Sequence, residues 1–102
     1  MIIDAHAHVT GPAELYKYTR ELAASQGPMR PQRPQLSDEL VEQSLTAHLA
    51  EVRGVGTDLQ VLSPRPWAVP TAERREAVVH AITRAANDMV AQCCRQIGRA
   101  HV

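Results

Sequence analysis

The sequence predicts an α/β fold whose strands lie parallel. Two short apolar stretches, residues 2–8 and 57–62, have strand character, and stretches of helical period separate and follow them. Strands that are joined through helices pair in parallel, with right-handed crossovers. Because two strands do not form an independently stable sheet, we expect the chain to be the first part of a larger α/β domain.

Three amphipathic helices are predicted, over residues 12–24, 37–53 and 71–96. We expect Thr10 or Gly11 to cap the first helix, with Pro12 at its first position. Gly54 and Gly56 are expected to end the second. The positions expected in the core recur every three to four residues: Leu15, Tyr18, Leu22; Leu40, Val41, Leu45, Leu49, Val52; Val78, Ile82, Ala85, Met89, Cys93.

The first strand carries the residues that indicate chemistry. Side chains alternate between the two faces of a strand, so His6 and His8 are expected to share a face with Asp4. Two imidazoles side by side on rigid backbone suit a single divalent metal ion. A carboxylate on the same face would orient a ligand or serve as one. In the alternative interpretation, the two histidines are packed and hydrogen-bonded beneath a helix.

The second strand leads into a proline-rich loop, residues 63–70, which contains Arg65 and Trp67. In parallel α/β proteins, ligands gather where strands end. Arg65 is therefore a candidate for holding a substrate carboxylate through paired hydrogen bonds, and Trp67 for walling the same pocket. The alternative is a solvated Arg65 and a Trp67 that covers the core. Residues 25–35 are interpreted as a connecting loop rather than a lid.

Composition narrows the class of protein. Lysine plus arginine equals aspartate plus glutamate, 11 of each, which argues against a nucleic-acid binder. No apolar stretch reaches the length of a membrane span, and the first residues lack the pattern of a secretory signal, so we expect a cytoplasmic protein. Cys93 and Cys94 are adjacent and are expected to stay reduced and mostly buried. His48 is interpreted as structural.

The opening Asp4-Ala5-His6-Ala7-His8 resembles the amidohydrolase superfamily of metal-dependent (β/α)8-barrel (TIM barrel) enzymes. It is similar to the amidohydrolase-related group that includes aminocarboxymuconate-semialdehyde decarboxylase. The run from Gly56 to Arg65, GTDLQVLSPR, looks most like the 4-oxalomesaconate hydratases of that group, and Asn87-Asp88 also fits it. The resemblance covers residues 1–96, about a quarter of a barrel of about 250 residues.

This resemblance implies that His6 and His8 bind a catalytic metal, most often Zn²⁺ and alternatively Mn²⁺. The remaining ligands and the general acid or base would lie on later strands, so the fragment alone is expected to be inactive. The substrate would be a small anionic carboxylate, undergoing hydration, non-oxidative decarboxylation or hydrolysis. No nucleic-acid or membrane partner is expected, and a homo-oligomer of the full-length parent is left open. Residues 97–102 resemble the translation of a sequencing adapter and are expected to be foreign to the domain.

Two alternatives remain at this point. Metal phosphoesterases of the polymerase-and-histidinol-phosphatase type also begin with His-x-His, but a Ser-Asp-Gly turn usually follows where this chain has Val9-Thr10-Gly11. TatD-type deoxyribonucleases open in a similar way and are not favoured by the neutral charge. The second alternative is a small helical interaction module with an incidental histidine pair, which would fold alone and ignore metal.

Overall fold

The computed structural model describes residues 1–25, 31–65 and 73–100. The elements follow one another as β1 (Ile3–Val9), α1 (Ala13–Ala24), α2 (Asp38–Val55), β2 (Leu59–Pro64) and α3 (Glu76–Ala100). The two strands form a parallel two-stranded sheet. The predicted α/β class with parallel strands is therefore confirmed. Within the described part of the chain, no helix combines the length and the apolar character that crossing a membrane requires.

The sheet contains one irregularity, in the middle of β1. Asp4 pairs with Gln60, and the next regular pair is Ala7 with Leu62. Two residues of β1 therefore stand opposite one residue of β2, which defines a β-bulge. Partners in a parallel pair point to the same side, and Gln60 and Leu62 share a side by alternation. Asp4 and Ala7 consequently share a face although they are three positions apart.

The bulge overturns one prediction about the site. Asp4 was expected to share a face with His6 and His8, and this is wrong because the expectation assumed unbroken alternation. The Asp4 carboxylate accepts a hydrogen bond from Gln60 Nε2 at 3.1 Å, and Gln60 Oε1 lies 2.8 Å from Nε2 of His48 on α2. Asp4 therefore lies on the side of the sheet that the helices cover.

The register gives the sheet two faces, which we call the helix face and the imidazole face. The helix face carries side chains that point toward the helices: Asp4, Ala7, Val9, Gln60 and Leu62. The imidazole face carries side chains that point the other way: Ile3, His6, His8, Leu59, Val61 and Ser63. The hydrophobic core lies between the helix face and the helices, and its buried members are Val9, Leu15, Tyr18, Leu22, Val41, Leu45, Val78, Ile82, Ala85, Met89 and Cys93.

The predicted helical stripes are largely confirmed by this core. All positions expected from the first and third helices are buried. In α2, Val41, Leu45 and Val52 are buried, while Leu40 and Leu49 are partly buried. A stripe of period 3.6 marks the apolar side of a helix, and here the apolar sides of the three helices share one core with Val9 of β1.

The turn between β1 and α1 depends on Gly11. Its φ of 73° lies in the left-handed region, and a Cβ at this position would lie 2.8 Å from Sδ of Met89. The helix starts one residue later than predicted, with Pro12 at the N-cap and no side-chain cap. The Leu15 amide donates to the Pro12 carbonyl instead, at 3.1 Å.

The end of α2 lies at Gly56. This residue has a φ of 70°, and its amide donates to the carbonyls of Arg53 and Val52. Gly54 was also predicted to end the helix, but it lies within the last helical turn. The start follows the prediction, because the Ser37 side chain accepts from the Leu40 amide at 3.2 Å.

The other shifted boundaries have contacts between elements as their cause. β2 begins two residues later than predicted, since Asp58 is used to bind Ile2: its carboxylate accepts from the Ile2 amide at 2.7 Å. α3 begins at Glu76 rather than near Thr71, which lies outside the described residues. Arg75, just before this start, donates from its guanidinium to the carbonyls of Ala23 and Ser25 and thereby caps the C-terminus of α1.

The connection before α2 is fastened to α3. Arg33 donates to the Asp88 carboxylate at 2.8 Å, and Gln92 Nε2 donates to the Leu36 carbonyl at 2.8 Å. These contacts give Asp88 a structural role at the surface of α3. They support the interpretation of residues 31–35 as a connector rather than a lid.

α3 contains both cysteines and extends into the adapter-like stretch that begins at Ile97. Cys93 is buried as expected, whereas Cys94 is exposed, and both thiols are free. Ile97, the first residue of the adapter-like stretch, is partly buried and packs against the core. His101 and Val102 lie outside the described residues.

Candidate metal centre

The two histidines of β1 lie side by side on the imidazole face. Their Nε2 atoms are 3.0 Å apart, and the ring centroids of His6 and His8 are 4.7 Å apart with the planes at 73°. Both side chains are exposed. The prediction that they share a face is therefore confirmed, and the alternative in which a helix covers them is not what the structure shows.

The backbone of β2 fixes the orientation of His8. Its Nδ1 lies 3.1 Å from the Pro64 carbonyl oxygen and 2.9 Å from Ser63 Oγ. A carbonyl oxygen only accepts, so Nδ1 carries the proton, and the Ser63 hydroxyl can then donate to the Ala7 carbonyl at 3.4 Å. Nε2 of His8 is thereby left with a lone pair directed at His6. A backbone carbonyl behind the ring is a common way to prepare an imidazole for metal binding.

The distance between the two Nε2 atoms fits one shared ion. At Zn–N distances of about 2.0–2.1 Å, nitrogens 3.0 Å apart subtend about 91–97° at the metal. Opening the pair by about 0.3–0.4 Å reaches the tetrahedral angle. Without metal, Nε2–H of His6 donates to Nε2 of His8. A metal ion bound between the two rings would replace the proton on Nε2 of His6 that joins them.

Asp4 supports the strand rather than the imidazoles. Its Oδ1 accepts from the His6 backbone amide at 3.2 Å, two residues further along the chain. An aspartate that binds the amide two positions on is a local turn device, and a bulge leaves one residue out of the ladder. The predicted contact between Asp4 and a metal-bound ring is therefore replaced by a contact with the backbone of His6.

The number of ligands is limited in the part of the chain that the structure describes. Among residues 1–25, 31–65 and 73–100, no group of three or more His, Cys, Asp or Glu side chains is placed to hold a metal ion. A catalytic zinc ion normally has three protein ligands and one open position. The pair of His6 and His8 thus supplies two ligands.

Arg65 directly follows β2, two positions after Ser63, which is the register partner of His8, and it lines a cleft. The cleft has a volume of about 300 Å³ and lies along one side of α1; it is lined by Ala13, Tyr16, Thr19, Arg20 and Arg65. Among the described residues, this lining contains two guanidinium groups and no carboxylate, so it suits an anion. Trp67, predicted to wall the same pocket, lies outside the described residues.

Two further groups line this cleft: Tyr16, which the sequence offers as a side chain that could reach a ligand or pack structurally, and Arg20, which was missed from the sequence. Tyr16 donates its hydroxyl to the Thr10 carbonyl; burial raises the pKa of its phenol, although the charge of Arg65 acts in the opposite direction. Arg20 follows Tyr16 by four positions on α1. The signal that would have found Arg20 is this helical spacing, which places both side chains on the same side of the helix.

The chain has no match among protein-family models and none among curated protein sequences. The family resemblance of residues 4–8 therefore stays a prediction. What supports a function is the geometry of β1 and β2.

Proposed function

We propose that this chain is the N-terminal portion of a metal-dependent (β/α)8-barrel enzyme of the amidohydrolase-related group, acting as a hydrolase or lyase on a small carboxylated substrate. The observation that carries the proposal is the His6–His8 pair, with its Nε2 atoms 3.0 Å apart and the His8 tautomer set by the Pro64 carbonyl. A carbonyl oxygen that binds Nδ1 and fixes the ring is typical of metal-binding histidines and is not expected for an incidental pair on the surface.

The position of the pair in the fold gives further support. His8 and Arg65 are both near the C-terminal ends of parallel strands, which is the edge where α/β enzymes bind substrates. The resemblance of residues 4–8 to the superfamily agrees with this position. Fold analogy does not choose between hydration, decarboxylation and hydrolysis.

Each residue around the histidine pair would have a distinct role. His6 and His8 would hold the metal, and Ser63 and Pro64 keep the His8 ring oriented. Arg65 would anchor a substrate carboxylate in the cleft along α1, which it lines. When bound, the ion supplies a water of lowered pKa or polarises a substrate oxygen. Further ligands and the general acid or base would come from residues beyond those described.

The test is zinc binding by the chain and by single-histidine variants, measured by isothermal titration calorimetry. We expect His6→Ala and His8→Ala each to lower the zinc affinity by at least about 10-fold, because each removes one of two ligands. His80→Ala is the matched control, since His80 is an exposed histidine on α3, away from the sheet.

Equal zinc affinity in all three variants would contradict the proposal. Loss of zinc binding in the His80→Ala variant alone would place the metal on α3 instead. Circular dichroism of each variant checks that the fold is kept, which we expect because both strand histidines are exposed.

A further inference from the structure

A series of hydrogen bonds on the helix face connects α2 to the backbone of His6. Nε2 of His48 lies 2.8 Å from Gln60 Oε1, and Gln60 Nε2 donates to Oδ2 of Asp4 at 3.1 Å. The other oxygen of that carboxylate, Oδ1, accepts from the His6 amide at 3.2 Å. The four residues lie on α2, β2 and β1, so the described part of the fold builds this series by itself.

The direction of each hydrogen bond follows from the groups that make it. A carboxylate only accepts hydrogen bonds, so the amide nitrogen of Gln60 faces Asp4. The amide oxygen of Gln60 then faces His48, and this oxygen also only accepts. His48 therefore carries a proton on Nε2. Every donor in the series points toward the Asp4 carboxylate, which thereby decides the tautomer of an imidazole on another element.

The series reaches the histidine pair at the β-bulge. His6 lies inside the bulge, between the paired positions Asp4 and Ala7, where the register with β2 is interrupted. Residues in a bulge are less firmly held by the strand ladder than their neighbours. The hydrogen bond from the His6 amide to Asp4 supplies an anchor at this position.

We propose that His48, Gln60 and Asp4 are positioning residues for the metal pair and hold the backbone of His6 so that both imidazoles meet one ion. This inference rests on the proposed metal role of His6 and His8. The His8 ring is held from behind by a carbonyl of β2, and the series gives His6 the corresponding support through its backbone. Partners behind the ligands tune metal affinity without touching the ion. His48, interpreted from the sequence as structural, thereby acts on the site.

The first experiment removes the hydrogen bonds of Gln60 and keeps the length of its side chain. Gln60→Met should lower the zinc affinity of the full chain about 10-fold in isothermal titration calorimetry. Gln92→Met is the matched control, because Gln92 is also partly buried and its amide binds the Leu36 carbonyl and Asp38 instead of β1. We expect the control to keep the wild-type zinc affinity, whatever stability it loses in urea.

A conservative variant at His48 separates positioning from packing. His48→Ala should weaken zinc binding, since Gln60 loses the donor that orients its amide. His48→Gln should restore the affinity, because a glutamine amide nitrogen replaces the Nε2–H donor. Packing of an imidazole ring alone would not be restored in this way.

The tautomer of His48 gives a spectroscopic readout. In Asp4→Asn, the side-chain oxygen is still needed by the His6 amide, so the side-chain nitrogen faces Gln60. The Gln60 amide should then turn over and present its nitrogen to His48, and the His48 proton should move from Nε2 to Nδ1. Nitrogen NMR shifts of the neutral imidazole distinguish the two tautomers.

The possible results separate this inference from the proposed function. Suppose that zinc binding needs His6 but Gln60→Met binds as the wild type does: the inference is then overturned and the proposed function stands. Equal losses of affinity in Gln60→Met and Gln92→Met would also overturn the inference, since the effect would follow stability. So would a His48→Gln variant as weak as His48→Ala, or an unchanged His48 tautomer in Asp4→Asn. A wild-type chain that binds no zinc would overturn both proposals.

Discussion

The two faces of the β1–β2 sheet are built from the same two strands and have opposite tasks. On the helix face, Val9 is 1% exposed, and the polar side chains are joined in the hydrogen-bond series from Asp4 through Gln60 to His48. On the imidazole face, Val61 is 57% exposed, and the neighbouring His6 and His8 rings have their Nε2 atoms 3.0 Å apart. The comparison teaches that this sheet concentrates buried packing on one side and leaves the proposed metal ligands on the other.

The largest effect on stability is expected at the turn that seats β1 against the helices. Gly11→Ala should lower the free energy of unfolding by about 2–4 kcal/mol, because it adds left-handed strain and a Cβ that overlaps Met89. Urea unfolding followed by circular dichroism measures this. Gly54→Ala is the control: nothing lies within 4 Å of its Cβ position, and the change should stabilise α2 by about 0.5–1 kcal/mol.

If Gly11→Ala proves as stable as the wild type, the turn is free to move and the helix face is not held by it. A loss in both glycine variants would point to helix packing in general rather than to this turn.

A matched pair of valine variants compares the faces directly. Val9→Ala should cost about 1.5–3 kcal/mol of unfolding free energy, because it empties space in the core. Val61→Ala should change stability by no more than about 0.5 kcal/mol, since it lies on the open face. Both values come from the same urea experiment in the absence of metal. Equal losses of unfolding free energy in the two variants would mean that the imidazole face is already covered in solution, and the two faces would then not differ in burial.

The smallest effect concerns the connection into α3, which serves neither face. Hydrogen bonds from Arg75, through its side chain and its amide, hold the pKa of the Glu73 carboxyl at about 2, below its ordinary 4.5. A folded pKa below the unfolded one gives stability that is complete above pH 4.5 and disappears as the pH falls through about 2. We therefore expect the melting temperature to decrease over this range.

Glu73→Gln should flatten that part of the pH profile, measured as melting temperature against pH. Glu42→Gln, at an exposed position on α2, is the control and should keep the wild-type slope. An unchanged slope in Glu73→Gln would assign the acid sensitivity to other carboxyls.

The features predictable from the sequence are those with a short period. The helical stripes place Leu15, Val41 and Ile82 in the core as expected, because apolar spacing within a helix decides which side is buried. The shared face of His6 and His8 follows from a period of two within three residues. In both cases the information lies inside one element.

The features that escaped prediction depend on two elements at once. The bulge arises because β1 has one more residue than β2 between two paired positions, Asp4–Gln60 and Ala7–Leu62. The apolar pattern of β1 alone does not show this difference, because the register depends on both strands. The late start of α3 reflects the use of Arg75 to cap α1. Arg20 joins Arg65 in a cleft only because the fold brings the residue that follows β2 to the side of α1. Trp67 falls outside the described residues, so its prediction stays open.

The bulge makes the proposed metal-ligand set of β1 depend on the relative lengths of the two strands. Inserting one residue into β2 beside Val61 would restore one-to-one pairing, and since the buried Ala7 half is held by the core, the half that contains Asp4 would turn over. Asp4 would then share a face with His6 and His8, and the proposed two-histidine ligand set would gain a carboxylate. Deleting Ala5 would straighten the strand and keep the two-histidine set. The number of ligands in the proposed site therefore depends on the relative length of two strands, a property that point substitution leaves untouched.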